Sequence, residues 1–168
     1  MTWRAPEPLA AQHQLDGFDC GQPTLNHWLT HHARQAQASG SARTFVVADQ
    51  DDQVAGYFQP HRGSDRHGGS TSERLRQGMG RFPLPVVIMA RLAVSSDHQG
   101  LGGIGVGMLQ DSIRRTLLIA EQAGIRAILT HPLNENAAGF YKRFGFIPSP
   151  LRPQQLLLLL KDARKIRH

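Results

Sequence analysis

The stretch LPVVIMARLAV, residues 84–94, is followed four residues later by QGLGGIG, residues 99–105, and this succession decides the fold. The first stretch is a nearly continuous apolar run, which is typical of a buried central strand. The second stretch contains four glycines and leads into an amphipathic helix predicted over 106–123, with Gly124 just beyond its end. A strand, a glycine-rich turn and a helix in this order predict an α/β layered protein.

The flanking sequence adds further elements around this unit. Hydrophobic spacing and turn residues predict these elements. Before the central strand we predict an edge strand and polar turn within 1–16, a helix over 24–38 with Thr24 as N-cap, strands at 44–48 and 54–58 joined as a hairpin at Asp51-Asp52, and a long loop over 60–82 with a short helix near 72–77. After the helix over 106–123 we predict a strand at 125–130, a helix over 137–143 capped by Asn134 or Asn136, and a last strand at 156–160. Because there is no internal repeat and no clear linker, we predict a single domain over residues 1–168.

The composition fits one folded domain without disulfide bonds. Hydrophobic residues make up 40% and charged residues 19% of the 168 residues, which is typical of globular proteins. The single cysteine, Cys20, cannot form an intramolecular disulfide. No stretch approaches the roughly 18 apolar residues of a membrane span, and the first residues lack the apolar core of a signal peptide. We therefore expect a soluble, cytoplasmic protein with no membrane contact.

The charge of the chain is strongly positive. The net charge is +6 and the isoelectric point is near 10.4, with basic residues gathered in 61–81 and in the tail from Lys161 to Arg167. Such a field attracts polyanions or acidic partners. Charge alone does not separate that interpretation from a simple contribution to solubility.

The glycine-rich turn predicts an anion site. Glycines at 100, 102, 103 and 105 let backbone N–H groups approach an anion, and the following helix N-terminus carries a positive dipole end. Residues 100–105 formally match the dinucleotide fingerprint G-x-G-x-x-G, but the next strand ends in Thr130-His131-Pro132 without the required acid. A P-loop is excluded because no Lys-Ser or Lys-Thr follows the glycines.

Two segments resemble the GNAT acetyltransferase superfamily. The first comprises RLAV, residues 91–94, with QGLGGIG, residues 99–105, and is similar to the family's acetyl-coenzyme A pyrophosphate motif. The second, NENAAGFYKRFGF over residues 134–146, is similar to the signature in which an asparagine precedes a helix ending in F-Y-x-x-x-G-F. The resemblance implies a GNAT fold, which has a central, mixed and mostly antiparallel sheet flanked by helices, and acetyl-coenzyme A as the cofactor.

Three N-terminal blocks narrow the resemblance to the GNAT toxins of bacterial type II toxin–antitoxin pairs. They are APEPL at 5–9, FDCG at 18–21 followed by LNHWL at 25–29, and ARTFV at 42–46. The resemblance implies acetylation of the α-amino group of aminoacyl-tRNA, which blocks translation. It also implies a ribbon-helix-helix antitoxin as partner, contact with DNA only through the antitoxin complex, and a possible homodimer.

The resemblance implies which residues hold acetyl-coenzyme A. The family spaces its motif as Q/R-x-x-G-x-G/A, whereas one extra residue lies in this turn, so the usable pair is predicted to be Gly103 and Gly105. The end of the central strand is expected to pair with the pantetheine arm and to supply an oxyanion N–H. Asn134 either caps its helix or bonds coenzyme A. The residues assigned to the cofactor are Leu92, Ala93, Val94, Gln99, Gly100, Gly102, Gly103, Gly105, Asn134 and Phe140.

The resemblance places one tyrosine as the catalytic acid. In the family a tyrosine protonates the departing thiolate, and Tyr141 occupies that position. An α-amino group titrates near 7.7–8.0 and an adjacent ester lowers this further, so little base assistance is required. The alternative for Tyr141 is packing beside Phe140 and Phe144, and Tyr57 is the only other tyrosine.

Basic residues are the candidate tRNA contacts, because counterion release from phosphates drives such binding. The candidates are Arg91, Arg74, Arg76, Arg81, Lys142 and Arg143. No metal site is expected: His27 and His31 have an i, i+4 spacing but no third ligand, so we interpret them as solvated. Two other functions stay open, namely a GNAT enzyme acting on a small amine or protein N-terminus, and a non-catalytic binding module.

Overall fold

The computed structural model describes residues 3–65, 84–100, 103–149, 152 and 154–164. The chain divides into two compact units, the first comprising Met1–His61 with Ala90–Ser112 and the second Arg62–Met89 with Ile113–His168. Two strands, β3 (Val54–Asp65) and β4 (Leu84–Val94), and one helix, α3 (Ile104–Ala123), contribute residues to both units. Each unit is described separately below.

The first unit packs two helices on a small antiparallel group of strands. Strand β1 (Glu7–Pro8) pairs antiparallel with β2 (Phe45–Ala48), and β2 pairs antiparallel with β3, with a bulge between Val47 and Ala48. Helices α1 (Pro23–His31) and α2 (Ala33–Ser39) precede β2. A core cluster of this unit contains Leu9, Leu15, Phe18, Cys20, Leu29, Ala33, Val46, Val54, Tyr57 and Ala93.

The second unit is built on a parallel pair of strands. Residues 86–89 of β4 pair in parallel with β5 (Ala127–Thr130), and β5 pairs antiparallel with β7 (Leu156–Leu159). The remaining elements are α4 (Glu135–Arg143), β6 (Ile147–Pro148), which pairs antiparallel with β7, and α5 (Leu160–Ala163). Its core cluster contains Val86, Ala127, Leu129, Leu157 and Leu159.

The strand order along the sheet is β1-β2-β3-β4-β5-β7-β6. Of the strand pairs whose direction is given above, only β4 and β5 run parallel. The predicted fold class, an α/β layered protein with a mixed and mostly antiparallel sheet, is confirmed. In the described part of the chain, no helix has the length and apolar character that crossing a bilayer requires.

The predicted helix over 24–38 is wrong in two respects. The structure contains two helices that meet at His32, whose backbone angles are φ −124° and ψ −26°. The N-cap is Gln22 rather than Thr24, because Pro23 occupies the first helical position, where its fixed φ and missing N–H cost nothing. The carbonyl of Gln22 accepts the first helical hydrogen bonds from the N–H groups of Leu25 and Asn26.

The hairpin also differs from its prediction. It turns as expected at residues 51–52, with Asp52 in the left-handed region at φ 62°, but β3 continues to Asp65 where a loop from residue 60 was predicted. The helix predicted near 72–77 lies outside the described residues. Leu160 begins α5 instead of ending the last strand, and the predicted starts of α3, β5 and α4 are each two residues off.

Candidate active site

The turn after β4 has a backbone that favours glycine and an open space above it. A 3-10 turn over Ser96–His98 leads to Gly100 at φ 75° and Gly103 at φ 67°, both in the left-handed region. A Cβ built at either glycine would meet no heavy atom of the described residues within 4 Å. Leu101 and Gly102 lie outside the described residues. Glycine is therefore required here by conformation, and the surface it leaves is accessible to a ligand.

Helix α3 presents its N-terminus directly after this turn. The carbonyl oxygen of Gly103 accepts a hydrogen bond from the N–H of Gly107 at 2.8 Å, so the helical pattern starts at Gly103. The N–H groups of Ile104, Gly105 and Val106 precede that bond, and such groups have no acceptor within a helix. Together with the dipole of a helix of 20 residues, they fit an anionic diphosphate.

The side chain of Gln99 ties the turn to its surroundings. Its Nε2 donates to the carbonyl oxygen of Cys20 at 2.9 Å and to that of Val94 at 2.8 Å. Both amide hydrogens are therefore used within the protein. Gln99 therefore holds the turn in shape through these two bonds, without contacting a ligand through its amide hydrogens.

Strand β4 continues beyond the end of its parallel partner, β5. The last registered pair is Met89 with Thr130, whereas β4 continues to Val94. Within this extension Ala93 is buried, and Leu92 and Val94 are half-buried. Backbone groups on an unpaired strand edge can bond an extended chain that carries amides.

Tyr141 lies in the core of the second unit. Its side chain is 5% exposed and its ring packs edge-on against Phe140 and Phe146, with centroids 5.4 and 5.2 Å away. Burial raises the pKa of the Tyr141 hydroxyl to about 12, and a hydrogen bond with the Thr130 side chain opposes this shift. Thr130 Oγ1 donates to the carbonyl oxygen of Met89 at 3.2 Å. Because a hydroxyl has one hydrogen, Thr130 can donate to Tyr141, which is the direction that lowers the pKa of Tyr141, only by turning away from Met89.

The second unit also places the other predicted residues of α4. Asn134 Oδ1 accepts a hydrogen bond from Ala137 N–H at 2.9 Å, so the predicted cap is confirmed, and its contact with coenzyme A stays a prediction. Phe140 is half-buried and packs against Phe144 as well as Tyr141. Lys142 and Arg143 are exposed in the last turn of α4.

Arg91, in the first unit, is held by its neighbours. Its Nη1 donates to Gln59 Oε1 at 2.6 Å, and its Cζ lies 4.4 Å from the ring centroid of Trp28. Three further candidate tRNA contacts, Arg74, Arg76 and Arg81, lie outside the described residues.

Tyr57 is fully buried and engaged in packing. Its hydroxyl donates to the carbonyl oxygen of Leu25 at 2.7 Å, and burial raises its pKa far above the ordinary value. Tyr57 therefore has a structural role.

The predicted residues thus fall into two groups. The first unit brings together Arg91, Leu92, Ala93, Val94, Gln99, Gly100, Gly103 and Gly105, and the second brings together Asn134, Phe140, Tyr141, Lys142 and Arg143. Sequence reasoning missed Thr130, Gln59 and Trp28. A signal existed for Thr130, the one hydroxyl in the apolar strand AILT. No such signal in the sequence points to Gln59 or Trp28, because their contacts with Arg91 span 32 and 63 positions of the chain.

A cluster of possible metal ligands lies away from these residues in the first unit. Glu7, His13 and Asp52 have ligand atoms within 4.8 Å of one another. The guanidinium of Arg4 donates to both carboxylates, and His13 Nε2 bonds Glu7 at 2.8 Å. These contacts describe an ion-pair network that joins the N-terminal segment to the β2–β3 turn.

The comparisons with known proteins identify the family. Residues 41–148 match the acetyltransferase (GNAT) domain, and the chain belongs to this family. It is 36% identical over 164 residues to the tRNA-acetylating toxin of Mycobacterium tuberculosis strain H37Rv. The aligned region covers 98% of this chain and 96% of the relative. Among solved structures, AtaT complexed with acetyl-methionyl-tRNAfMet is 25% identical with a TM-score of 0.87 over 98% of both chains. AtaTR bound with acetyl-coenzyme A is 26% identical with a TM-score of 0.80 over 96% of both.

Proposed function

We propose that this chain transfers the acetyl group of acetyl-coenzyme A to the α-amino group of aminoacyl-tRNA, as the toxin of a toxin–antitoxin pair. The observation that carries the proposal is the 36% identity to a tRNA-acetylating toxin over 98% of the chain. The family match over 41–148 includes parts of both units, which supports a single catalytic domain over 1–168. Its place of action is then the cytoplasm, where charged tRNA is found.

The glycine turn and the end of β4 would hold acetyl-coenzyme A. Gly100, Gly102, Gly103 and Gly105, with the first N–H groups of α3, bind the diphosphate, while Gln99 holds the turn in shape. Leu92, Ala93 and Val94 offer backbone groups to the pantetheine arm, and Asn134 and Phe140 are proposed as further contacts of the cofactor. The cofactor supplies an acetyl group activated as a thioester.

The acceptor amine needs no strong base. An α-amino group has a pKa near 7.7–8.0, and an ester beside it lowers the value further, so a useful fraction is unprotonated at neutral pH. A backbone N–H between Leu92 and Val94 stabilises the oxyanion that develops on the acetyl carbonyl. The site residues therefore position the amine and stabilise charge.

Tyr141 is proposed as the acid that protonates the departing thiolate. With a pKa raised to about 12, it keeps its proton at neutral pH. A thiol has an ordinary pKa of about 8.5, so transfer from a tyrosine with a pKa of about 12 to such a thiolate costs about 5 kcal/mol at 1.36 kcal/mol per unit. A hydrogen bond that stabilises the phenolate lowers this cost, and the hydroxyl of Thr130 can supply one by turning from Met89 to Tyr141.

Positive charge would bind the tRNA. Lys142 and Arg143 are exposed beside Tyr141 in α4, and Arg91 lies on β4 immediately before the proposed pantetheine segment. Arg74, Arg76 and Arg81 are proposed as further phosphate contacts. A toxin of this kind requires a neutralising partner, and we propose a ribbon-helix-helix antitoxin that also carries the pair to DNA. A homodimer is part of the same proposal.

The test is an acetylation assay with labelled acetyl-coenzyme A. The acceptors are the full set of charged tRNAs, the same tRNAs deacylated, spermidine, and a peptide with a free N-terminus. We expect label only on charged tRNAs, released when the aminoacyl ester is hydrolysed. Acetylation of spermidine or of the peptide without charged tRNA would contradict the proposal. Failure to bind acetyl-coenzyme A would identify a non-catalytic module.

A further inference from the structure

The guanidinium of Arg91 is fixed in place before any ligand binds. Gln59, which is 2% exposed, receives the hydrogen bond from Arg91 Nη1, and the ring of Trp28 lies against the guanidinium. Trp28 stacks on Tyr57 with ring centroids 6.0 Å apart and an angle of 13° between the planes. Tyr57 is in turn fixed by its hydroxyl bond to the carbonyl of Leu25. Ordering this arginine therefore costs little when it binds a ligand.

The same contacts determine which ring nitrogen of His61 carries the hydrogen. Arginine has only donors, so Gln59 must turn its oxygen to Arg91 and its NH₂ group towards His61, whose Nδ1 lies 3.3 Å from Gln59 Nε2. His61 Nδ1 is then an acceptor, and the ring hydrogen is on Nε2. Desolvation of the ring and the charge of Arg91 lower the pKa of His61 below its ordinary value, which favours this neutral form. His61 is exposed and offers an N–H donor.

Among the residues that the structure describes, no carboxylate forms a salt bridge with Arg91. The salt bridges among the described residues join Arg4, Glu7, His13 and Asp52, and none includes Arg91. A guanidinium has five N–H donors, of which Gln59 takes one. A half-buried, oriented guanidinium with no salt-bridge partner in the described part of the chain is suited to bind an oxyanion through two parallel hydrogen bonds.

The geometry points to a phosphate subsite in which Arg91 and His61 bind one phosphodiester of the acceptor RNA, with Gln59 and Trp28 as positioning residues. This inference rests on the proposed function for the identity of the anion. The competing interpretation is structural: Arg91 covers the ring of Trp28 and contributes packing only. The two interpretations differ in what happens when Gln59 becomes a carboxylate.

The experiment measures binding of deacylated tRNA to Gln59→Glu. The new carboxylate keeps the shape of the side chain and pairs with Arg91, so it should neutralise the subsite without loss of thermal stability. We expect at least about tenfold weaker tRNA binding and a salt slope smaller by about 0.7–0.9, as for one lost phosphate contact. Arg91→Lys keeps the charge but loses the paired donors, and should also weaken binding. His61→Phe should weaken it by a smaller factor.

The matched control is Gln35→Glu, the same change at an exposed position of α2. It should leave tRNA binding unchanged, and all variants should keep the thermal shift with acetyl-coenzyme A. Wild-type affinity in Gln59→Glu, or equal losses in Gln59→Glu and Gln35→Glu, would overturn the subsite while the acetylation of charged tRNA still stands. Selective loss in Gln59→Glu, with no charged tRNA acetylated by the wild type, would support the subsite and overturn the proposed function.

Discussion

Thr130 and Met89 are joined twice, as the last register pair of the parallel strands β4 and β5 and by a hydrogen bond of 3.2 Å from Thr130 Oγ1 to the carbonyl oxygen of Met89. The same Thr130 hydroxyl is the hydrogen-bond partner of Tyr141. The hydroxyl proposed as the catalytic acid is therefore anchored to the point where the two strands stop pairing. The hydrogen of this buried hydroxyl can turn from the carbonyl oxygen of Met89 to Tyr141 when Tyr141 loses its proton.

Thr130→Val removes this hydroxyl while keeping the shape of the side chain. We expect kcat to fall by about 3- to 10-fold, since the phenolate loses one hydrogen bond worth about 0.5–1.5 kcal/mol, with KM for acetyl-coenzyme A unchanged. Thr130→Ser should restore most of the rate. Steady-state kinetics in the Tyr141→Phe background are the control: there Thr130→Val should have no further effect on kcat. Equal losses in both backgrounds would indicate a purely structural role.

Tyr141→Phe removes the acid itself. A lost general acid costs about 10²–10⁴-fold in rate, so we expect a fall of this size in kcat with acetyl-coenzyme A affinity within a few-fold. The matched variant is Tyr57→Phe, which should keep kcat and lose about 1 kcal/mol in urea unfolding, because the Leu25 carbonyl loses its donor. An unchanged kcat in Tyr141→Phe would return Tyr141 to a packing role.

The sequence was most informative where local pattern and tertiary structure agree. The run LPVVIMARLAV became β4 with the predicted bounds, and Asn134 caps α4 because a short acceptor side chain before a helix can reach the free N–H groups. The break at His32 was missed because the apolar spacing continues through it. The extension of β3 to Asp65 was missed because the polar residues HRGSD contain no strand pattern, and pairing with a neighbouring strand overrides propensity.

The residues proposed to act on Tyr141 and Arg91 through hydrogen bonds were the hardest to predict. Thr130 acts through Met89 and Tyr141, which are 41 and 11 positions away in the chain, and Gln59 acts through Arg91. Neither belongs to a motif with a fixed spacing. Their roles follow from hydrogen-bond direction, which depends on the fold. Gln99 was predicted from its motif, yet its amide hydrogens bond the backbone of Cys20 and Val94.

Gly105→Glu tests the diphosphate site. A carboxylate in the first turn of α3 would repel the ligand phosphates, so the thermal shift with acetyl-coenzyme A should disappear. In the wild type, ligand at about 100 times Kd should add about 2.7 kcal/mol to the free energy of unfolding. Leu118→Glu, at a position of the same helix that is 70% exposed, has the same added charge and should keep the full shift. Retention of the shift in Gly105→Glu would exclude this turn as the phosphate site.

The Glu7 network predicts a loss of stability in acid. Hydrogen bonds from His13 and then Arg4 lower the pKa of the Glu7 carboxylate. Its contribution to stability is present above the unfolded-state pKa and is lost as the pH falls through the lowered, folded-state value. Glu7→Gln should therefore be less stable than wild type in urea unfolding at pH 7, and the difference should shrink as the pH falls through the lowered pKa of Glu7. Glu121→Gln, on an exposed site of α3, is the control. A difference that does not shrink at any point of an acid titration over which the protein stays folded would show that the charge of Glu7 is not the cause.

The cations of α4 test the nature of the acceptor. If Lys142 and Arg143 meet tRNA phosphates, binding of charged tRNA should weaken steeply with salt, because condensed counterions are released on binding. Lys142→Ala and Arg143→Ala should each reduce the slope of log K against log salt by about 0.7–0.9 and raise the apparent KM for charged tRNA. Both residues also lie at the C-terminal end of a helix dipole, so each variant should lose about 0.3–1 kcal/mol of stability, which urea unfolding measures separately. Lys161→Ala, an exposed cation on α5, should leave the slope unchanged. A flat salt response in the wild type and in every variant would contradict a tRNA acceptor and favour a small amine.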